Sequence, residues 1–330
     1  MMNPAGQPDL RFIHQRADLL RRLRAFFDSR GFIEVQTPCL SRDCVVDPYI
    51  DPLSISREVM GREGMRLGGG DLPDRFFLQT SPEAAMKRML AAGAPSIYSM
   101  GPVFRADEFG DHHNIEFTML EWYDLGADMD AGVMLLGTLV SEMMGVDGYD
   151  TITYRDVFRQ KLDIDPIDAS EDELRRLVAA IDVELASADQ TDRDDCLNIL
   201  LSETIQPALG TDRPMVVTNY PASQAALAKP STKDPKCAAR FELFSKGIEL
   251  ANGYDELLDA DVLVERAKRS NQNRIASGRN ELPVETQLVQ AMRQGLPQCA
   301  GVALGVDRLL MVCTDASSIS QVMPFTISKA

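Results

Sequence analysis

Three stretches of the chain carry chemically capable side chains at spacings a fold could gather. The first is IEFTMLEWYD, residues 115–124. Read as a strand, it sets Phe117, Met119, Glu121 and Tyr123 on one face and Glu116, Thr118, Leu120 and Trp122 on the other. Acids on such a strand are costly to bury unless a cation or hydrogen-bond donors meet them. An exposed edge strand explains the acids but not the Trp, Tyr, Phe and Met beside them. The second stretch is RFELFSKGIELANGYDEL, residues 240–257. A tight turn at Ser245-Lys246-Gly247 brings Glu242 and Glu249 to or near cross-strand positions, where like charges destabilise each other. A divalent cation resolves that conflict, and two hard oxygen ligands suit Mg²⁺ bridging to phosphates. A solvated acidic hairpin is the alternative. Asn252, Tyr254 and Glu256 share the opposite alternation. The third stretch is GVALGVDRLL, residues 301–310. Its Gly305, where a strand gives way to a helix, lets a ligand approach the backbone closely. Arg308, in the first helical turn, sits where a helix favours an anion. Arg105, at the end of its own strand, is a second anion clamp. Two such arginines and a carboxylate pair for Mg²⁺ point to a nucleoside triphosphate.

The elements that position these groups follow from periodicity and punctuation. Ile13, Ala17, Leu20 and Phe27 recur at helical spacing, with Leu19, Leu23 and Phe26 widening the stripe and Gly31 as the C-terminal cap, giving a helix over about 11–30. FIEVQTP alternates and ends at Pro38. FFLQT, ending at Thr80, is a strand; Ser81 fits an N-cap and Pro82 the first helical position of SPEAAMKRML. A strand then runs to Arg105, followed by the polar loop DEFGDHHN and the 115–124 strand. Residues 131–210 read mostly as helices. VVTNYP, RFELF and GIELANG read as strands, a helix covers about 259–276, and the chain ends with GVAL and the helix VDRLLMVC. GREGMRLGGGDLPD, residues 61–74, reads as a long hairpin loop or lid. Strands arriving as hairpins rather than in strict βαβ alternation favour an α+β fold, an antiparallel sheet with helices on its faces.

Composition narrows the function. The chain has 330 residues and a net charge of −16, from 50 acids against 34 bases. That argues against holding nucleic acid by a broad basic face. No run approaches the ~18 apolar residues of a membrane span, and the N-terminus lacks an apolar export core. Six cysteines without a CxxC read as reduced thiols in a cytoplasmic protein. There is no P-loop, no GxGxxG after a strand and no GxSxG elbow. His112 and His113, adjacent in an extended segment, point opposite ways and read as a surface pair rather than a shared metal site.

Together these segments resemble the catalytic core of class II lysyl-tRNA synthetases. GFIEVQTPCL looks like motif 1, FRADEFGDHHNIEFTMLEWY like motif 2 and GVALGVDRLL like motif 3, in the family's order and from about Arg11 to the C-terminus. SPEAAMKR, PASQAALA and KGIELANG are similar to the short synthetase paralogues that attach (R)-β-lysine to a lysine of elongation factor P, the EpmA/PoxA/GenX family. The resemblance implies a class II catalytic fold with a six-stranded antiparallel sheet flanked by helices, in a single domain over 1–330 with 131–210 as a helical insertion. It implies ATP and Mg²⁺, and a homodimer formed through motif 1. For ATP it implies Arg105 on the α-phosphate, Asp107, His113 and Asn114 in the loop closing over the nucleotide, Phe117 stacked on adenine, and Arg308 on the γ-phosphate. Glu249, Leu250 and Gly305 complete that set, and Glu242 and Glu249 hold Mg²⁺. For the amino acid it implies Ser81, Pro82, Glu83, Tyr123, Asn252 and Glu256, with Ala303, where true synthetases have glycine, reshaping the pocket. Elongation factor P is the implied acceptor and (R)-β-lysine or lysine the substrate. Two features separate the chain from a true synthetase: no room for an anticodon-binding domain before residue 11, and no basic stripe for tRNA. A tRNA-charging enzyme and a catalytically silent paralogue are the competing readings; the intact arginine and glutamate set argues against the second. In the family's Arg-x-Glu pattern this chain has Asp107, one methylene shorter, followed by Glu108.

Overall fold

The structure is a computed structural model that describes residues 10–60, 66–67, 70–71, 73–182 and 192–330. Most of the 61–74 stretch lies outside the described residues; within it Arg66–Leu67 pairs antiparallel with Gly70–Asp71. The chain divides into two compact units.

The first unit comprises Met1–Tyr123, Leu258–Pro297 and Gly305–Ala330. Its first helix, Ile13–Asp28, buries Leu19, Leu23, Phe26 and Phe27, the stripe expected from the sequence. Phe27 lies 4.8 Å from the Tyr98 ring and 5.1 Å from Trp122, so this helix covers one face of the Ile97–Phe104 and Glu116–Leu125 strands. These strands pair antiparallel, with Ser99 opposite Glu121 and Val103 opposite Phe117. Cross-strand partners share a face, so Phe117, Glu121 and Tyr123 lie on the face away from the Phe27 helix. The helix Glu83–Ala91 begins one residue after the position expected for it, yet Ser81 Oγ still accepts from the Glu83 amide at 3.0 Å. The helices Ala260–Ala276, capped by Asp259, and Val306–Thr314 complete the elements that matter below.

The second unit comprises Asp124–Leu257 and Gln298–Leu304. Its strands run in the order Cys299–Gly305, Ile248–Asp255, Arg240–Ser245, Met215–Thr218, Asp150–Thr153. The helix Met129–Met144 packs on one sheet face so closely that a Cβ on Gly132 would stand 3.0 Å from the Phe241 ring, and that ring lies over its cross-strand neighbour Gly253, where a Cβ would stand 2.5 Å from it. The helices Tyr154–Leu162, Glu171–Ile181 and Arg193–Leu200 form a second core, where Tyr154, Phe158, Leu174 and Leu197 meet Val217, Tyr220 and Phe244.

The sheet corrects one expectation. Among the described residues the main sheet has eight strands, not six, and it is mixed rather than antiparallel throughout. Ile33–Glu34 runs parallel to Ile97–Tyr98, and Asp150–Thr153 runs parallel to Met215–Thr218. Hairpin signals mark only antiparallel neighbours; a parallel strand of two or four residues, reached by a long crossover, leaves no turn signature. Among the described residues no helix is long and apolar enough to cross a membrane.

Candidate active site

The first unit gathers an acidic pocket and two arginines. Glu121 is 2% exposed. Its two oxygens accept from Ser81 Oγ at 2.6 Å and from the Tyr123 hydroxyl at 2.7 Å. Glu83, also buried, accepts from Lys87 Nζ at 2.5 Å, and that ammonium lies 5.8 Å from the centre of the Tyr123 ring. Burial, then the Glu83 charge, pushes the Glu121 carboxyl up to about 7, against the opposing pull of Ser81, Tyr123 and Lys87. Two buried carboxylates share one lysine, which leaves a place suited to an incoming cation. The strand alternation exposed the pattern of Glu121 but not its role. Lys87 could have been found from its i,i+4 spacing to Glu83 on the helix.

Arg105 ends the Ile97–Phe104 strand with its guanidinium 5.2 Å from the Phe117 ring centre, its Nε donating to Thr80 O at 3.3 Å and its Nη1 to Glu108 Oε1 at 3.3 Å. Asp107 has φ +61. Asp tolerates this left-handed conformation better than Glu, which gives the shorter acid at this position a backbone reason. Arg308 Nε donates to His112 O at 3.1 Å, and Nη2 lies 2.5 Å from His113 Nε2. A guanidinium only donates, so that ring nitrogen accepts. The Asn114 amide is spent within the chain: Nδ2 donates to Glu116 O, and Oδ1 accepts from the Ile327 amide. Sequence reasoning missed the support for Arg308. Its neighbour Asp307 is buried, bonds Arg16 and accepts from the Thr118 amide at 2.7 Å, while Arg16 Nη2 donates to Thr118 Oγ1 at 2.7 Å. The first helix thus ties the start of Val306–Thr314 to the Glu116–Leu125 strand.

In the second unit, strand register lays out the remaining residues. Glu242 pairs with Asn252, which pairs with Ala303; in the next row Arg240 pairs with Tyr254, which pairs with Gly301. All therefore share one face. The hairpin corrects a second expectation. Leu243 pairs with Ala251 but Phe244 pairs with Glu249, so Leu250 is an extra residue that pairs with neither. This bulge re-aims Glu249 onto the face that carries Glu242 and Asn252, where simple alternation had set Glu249 and Asn252 on opposite faces. Glu242 is buried; its Oε1 accepts from Arg240 Nη2 and its Oε2 from the Tyr220 hydroxyl, both at 2.6 Å. Burial raises its carboxyl and the Glu249 charge raises it further, while Arg240 and Tyr220 oppose the shift. Burial disfavours the Arg240 charge most strongly, but the Glu242 carboxylate together with Tyr254 and Tyr220 holds the guanidinium above its ordinary value. Asn252 Nδ2 donates to the Tyr254 hydroxyl at 2.9 Å, whereas its buried Oδ1 has no partner among the described residues. An orphaned acceptor of this kind is what a bound donor would satisfy. Glu256 is fully buried.

Could this face hold a cation? Among the described residues no group of three or more His, Cys, Asp or Glu side chains gathers as for a metal. The donors here are two hard carboxylates on one face, and among the described residues each Glu242 oxygen accepts one of the two bonds it can take. That set fits Mg²⁺, which takes few protein ligands and keeps water and phosphate oxygens.

With ordered synthetase-like motifs, paired arginines and acidic faces in place, comparison with known proteins identifies the class. The chain matches the family of class II tRNA synthetases (D, K and N) over residues 7–329, and it belongs to that family. It is 40% identical over 317 residues to the elongation factor P--(R)-beta-lysine ligase of Enterobacter sp. (strain 638), an alignment covering 96% of this chain and 95% of that one. Proteins of the same name from Photorhabdus laumondii subsp. laumondii and Yersinia enterocolitica are each 40% identical, over 319 and 317 residues, with the same coverage.

Proposed function

We propose that this chain activates (R)-β-lysine, or lysine, with ATP and transfers it to a lysine side chain of elongation factor P. The observation that carries the reading is the buried Glu121, bracketed by Ser81 and Tyr123, in a pocket with more negative charge than its one lysine balances. Such a pocket suits a substrate ammonium; in the second unit the open Asn252 Oδ1 suits a bound donor. The acceptor comes from the names of the near full-length relatives.

In the first half-reaction a substrate carboxylate oxygen attacks the α-phosphorus of ATP. The bond from that phosphorus to the bridging oxygen breaks, and pyrophosphate leaves. Arg105 neutralises the charge growing on the α-phosphate, Arg308 holds the γ-phosphate, and Phe117 lies under adenine. Mg²⁺ held by Glu242 and Glu249 would neutralise phosphate charge. In the second half-reaction a neutral acceptor amine attacks the adenylate carbonyl; an amide forms, AMP leaves and the amine loses a proton. We place the enzyme in the cytoplasm, which its six free cysteines suit. Exposed Leu10, Ile13 and Ile33 support a dimer through motif 1.

The test gives the purified protein ATP and each lysine isomer, with unmodified elongation factor P or with tRNA. The expected result is one added lysyl unit on the protein by mass spectrometry, formed faster with the β isomer, and little charged tRNA. Efficient charging of tRNA with an unmodified protein acceptor would refute the reading.

Gly305 gives a second check. Its φ is not left-handed, and an added Cβ would meet only Arg308 atoms at 3.8–3.9 Å, so neither backbone nor packing demands glycine there. Gly305→Ala should cost about 1 kcal/mol of stability or less, as expected at a helix N-cap. It should weaken ATP about tenfold, because the methyl takes the space a nucleotide approaches. Thermal melting beside ATP titration calorimetry measures both, and unchanged ATP affinity would remove Gly305 from the nucleotide contacts.

A further inference from the structure

We infer that Arg274 is a positioning residue for Arg105, acting through the 47–51 loop. The inference rests on the reading of Arg105 as a phosphate ligand. Arg274 lies near the end of the Ala260–Ala276 helix and is 1% exposed. A buried guanidinium is costly unless its donors are satisfied, and here four bonds engage all three of its nitrogens. Nε donates to Asn280 O at 2.9 Å, Nη1 to Asp47 O at 2.9 Å and to Ile50 O at 3.0 Å, and Nη2 bonds Asp51 Oδ1. Arg279 reinforces the grip, donating to Pro48 O at 2.9 Å with its Nε 3.4 Å from Asp51 Oδ2. The Asp47 carboxylate folds the loop on itself by accepting from the Tyr49 and Ile50 amides.

The far end of this loop reaches the chemistry. Asp51 O accepts from the Ala106 amide at 2.8 Å in an isolated antiparallel bridge. Ala106 stands between Arg105 and the left-handed Asp107. The turn leaving Arg105 therefore has two backbone anchors: the Arg105 amide on Ile115 O at 2.9 Å, and Asp51, which Arg274 holds. A guanidinium fork can grip the loop carbonyls and the Asp51 carboxylate at once; a lysine ammonium cannot. Because a shift of about 1 Å in a catalytic group costs up to ~10²-fold, slack in the loop should register at the nucleotide.

The test uses Asp51→Asn, which keeps the backbone bridge and sits at a partly exposed position, and Arg274→Lys, which keeps the buried charge. Both are measured by ATP–pyrophosphate exchange, by hydrogen exchange of the Ala106 amide without ligand, and by melting. The expected result is faster exchange at Ala106, an ATP KM raised about tenfold and an amino-acid KM within twofold of wild type. A merely structural role would raise both KM values together in step with lost melting temperature, and that outcome overturns the proposal. So does an unchanged ATP KM in a folded variant. If Arg274→Lys does not fold, Asp51→Asn decides alone. Arg105→Ala separates the two ideas: undiminished ATP use there removes the assignment of Arg105, whereas its loss together with normal Asp51→Asn kinetics removes only the tether.

Discussion

Replacing Glu121 by Gln should raise the KM of the amino-acid substrate by at least two orders of magnitude while leaving ATP affinity within twofold. The carboxylate has no solvent to fall back on, and a substrate ammonium that loses its buried partner loses on the order of 3–5 kcal/mol. The pH dependence follows from the carboxyl being pushed up to about 7 by burial and by Glu83. An ammonium is bound by the ionised form, so in the wild type kcat/KM for the amino acid should climb with pH and level off above about 7. The Gln variant should lose that limb. Stability runs the other way. Glu121 has a folded pKa above its unfolded value, so its contribution is fully present below about pH 4.5 and is lost as pH rises through about 7. The Gln variant, neutral throughout, should therefore melt no lower than wild type at pH 8, with its relative advantage shrinking toward pH 5. Pyrophosphate exchange profiles and melts across this range check both; a lower melting temperature at pH 8 with an unchanged substrate KM would make Glu121 a structural acid.

Arg105→Ala should lower pyrophosphate exchange at saturating ATP by 10²–10³-fold, about 3–4 kcal/mol, the usual cost of removing one donor aimed at developing charge. The guanidinium is shared between Thr80 O and Glu108 and faces Phe117, so its plane is fixed before any nucleotide arrives. Arg105→Lys should recover only part of the loss, because a point charge lacks the fork and the flat face. Single-turnover adenylate formation separates this from weakened binding: the deficit should persist when ATP saturates. Full recovery by lysine would mean that charge alone, not the fork, is used.

The sequence was most legible where one residue's neighbours in the chain are also its neighbours in space. The Phe27 helix, the alternation of Phe117, Glu121 and Tyr123, and the strand-to-helix passage at Gly305 all follow from local spacing, and the structure has each. What stayed hidden depends on distant pairing. Asp150–Thr153 is a strand because Met215–Thr218 lies alongside it, not because four residues between helices announce one. Tyr220 reaches Glu242 across 22 residues with no motif to signal it, and Arg16 reaches Asp307 across 291. Arg274 continues the buried stripe of Ala260, Val264, Ala267 and Asn271, but Asn and Arg at those positions do not announce a buried face.

The unpaired Leu250 gives the Ile248–Asp255 strand a parity. Asn252 stands three positions after Glu249, an odd step, and only the surplus residue turns it into an even one. The constraint falls on chain length as much as on chemistry. Leu250 could give way to another buried apolar side chain and both ends of the strand would keep their aim. A strictly paired strand of the same length would set Glu249 and Asn252 on opposite faces, whereas deleting Leu250 as well would return them to one face, opposite Phe244 and Glu242. The face that Glu249 and Asn252 share therefore depends on the bulge and the residue count together, not on either alone.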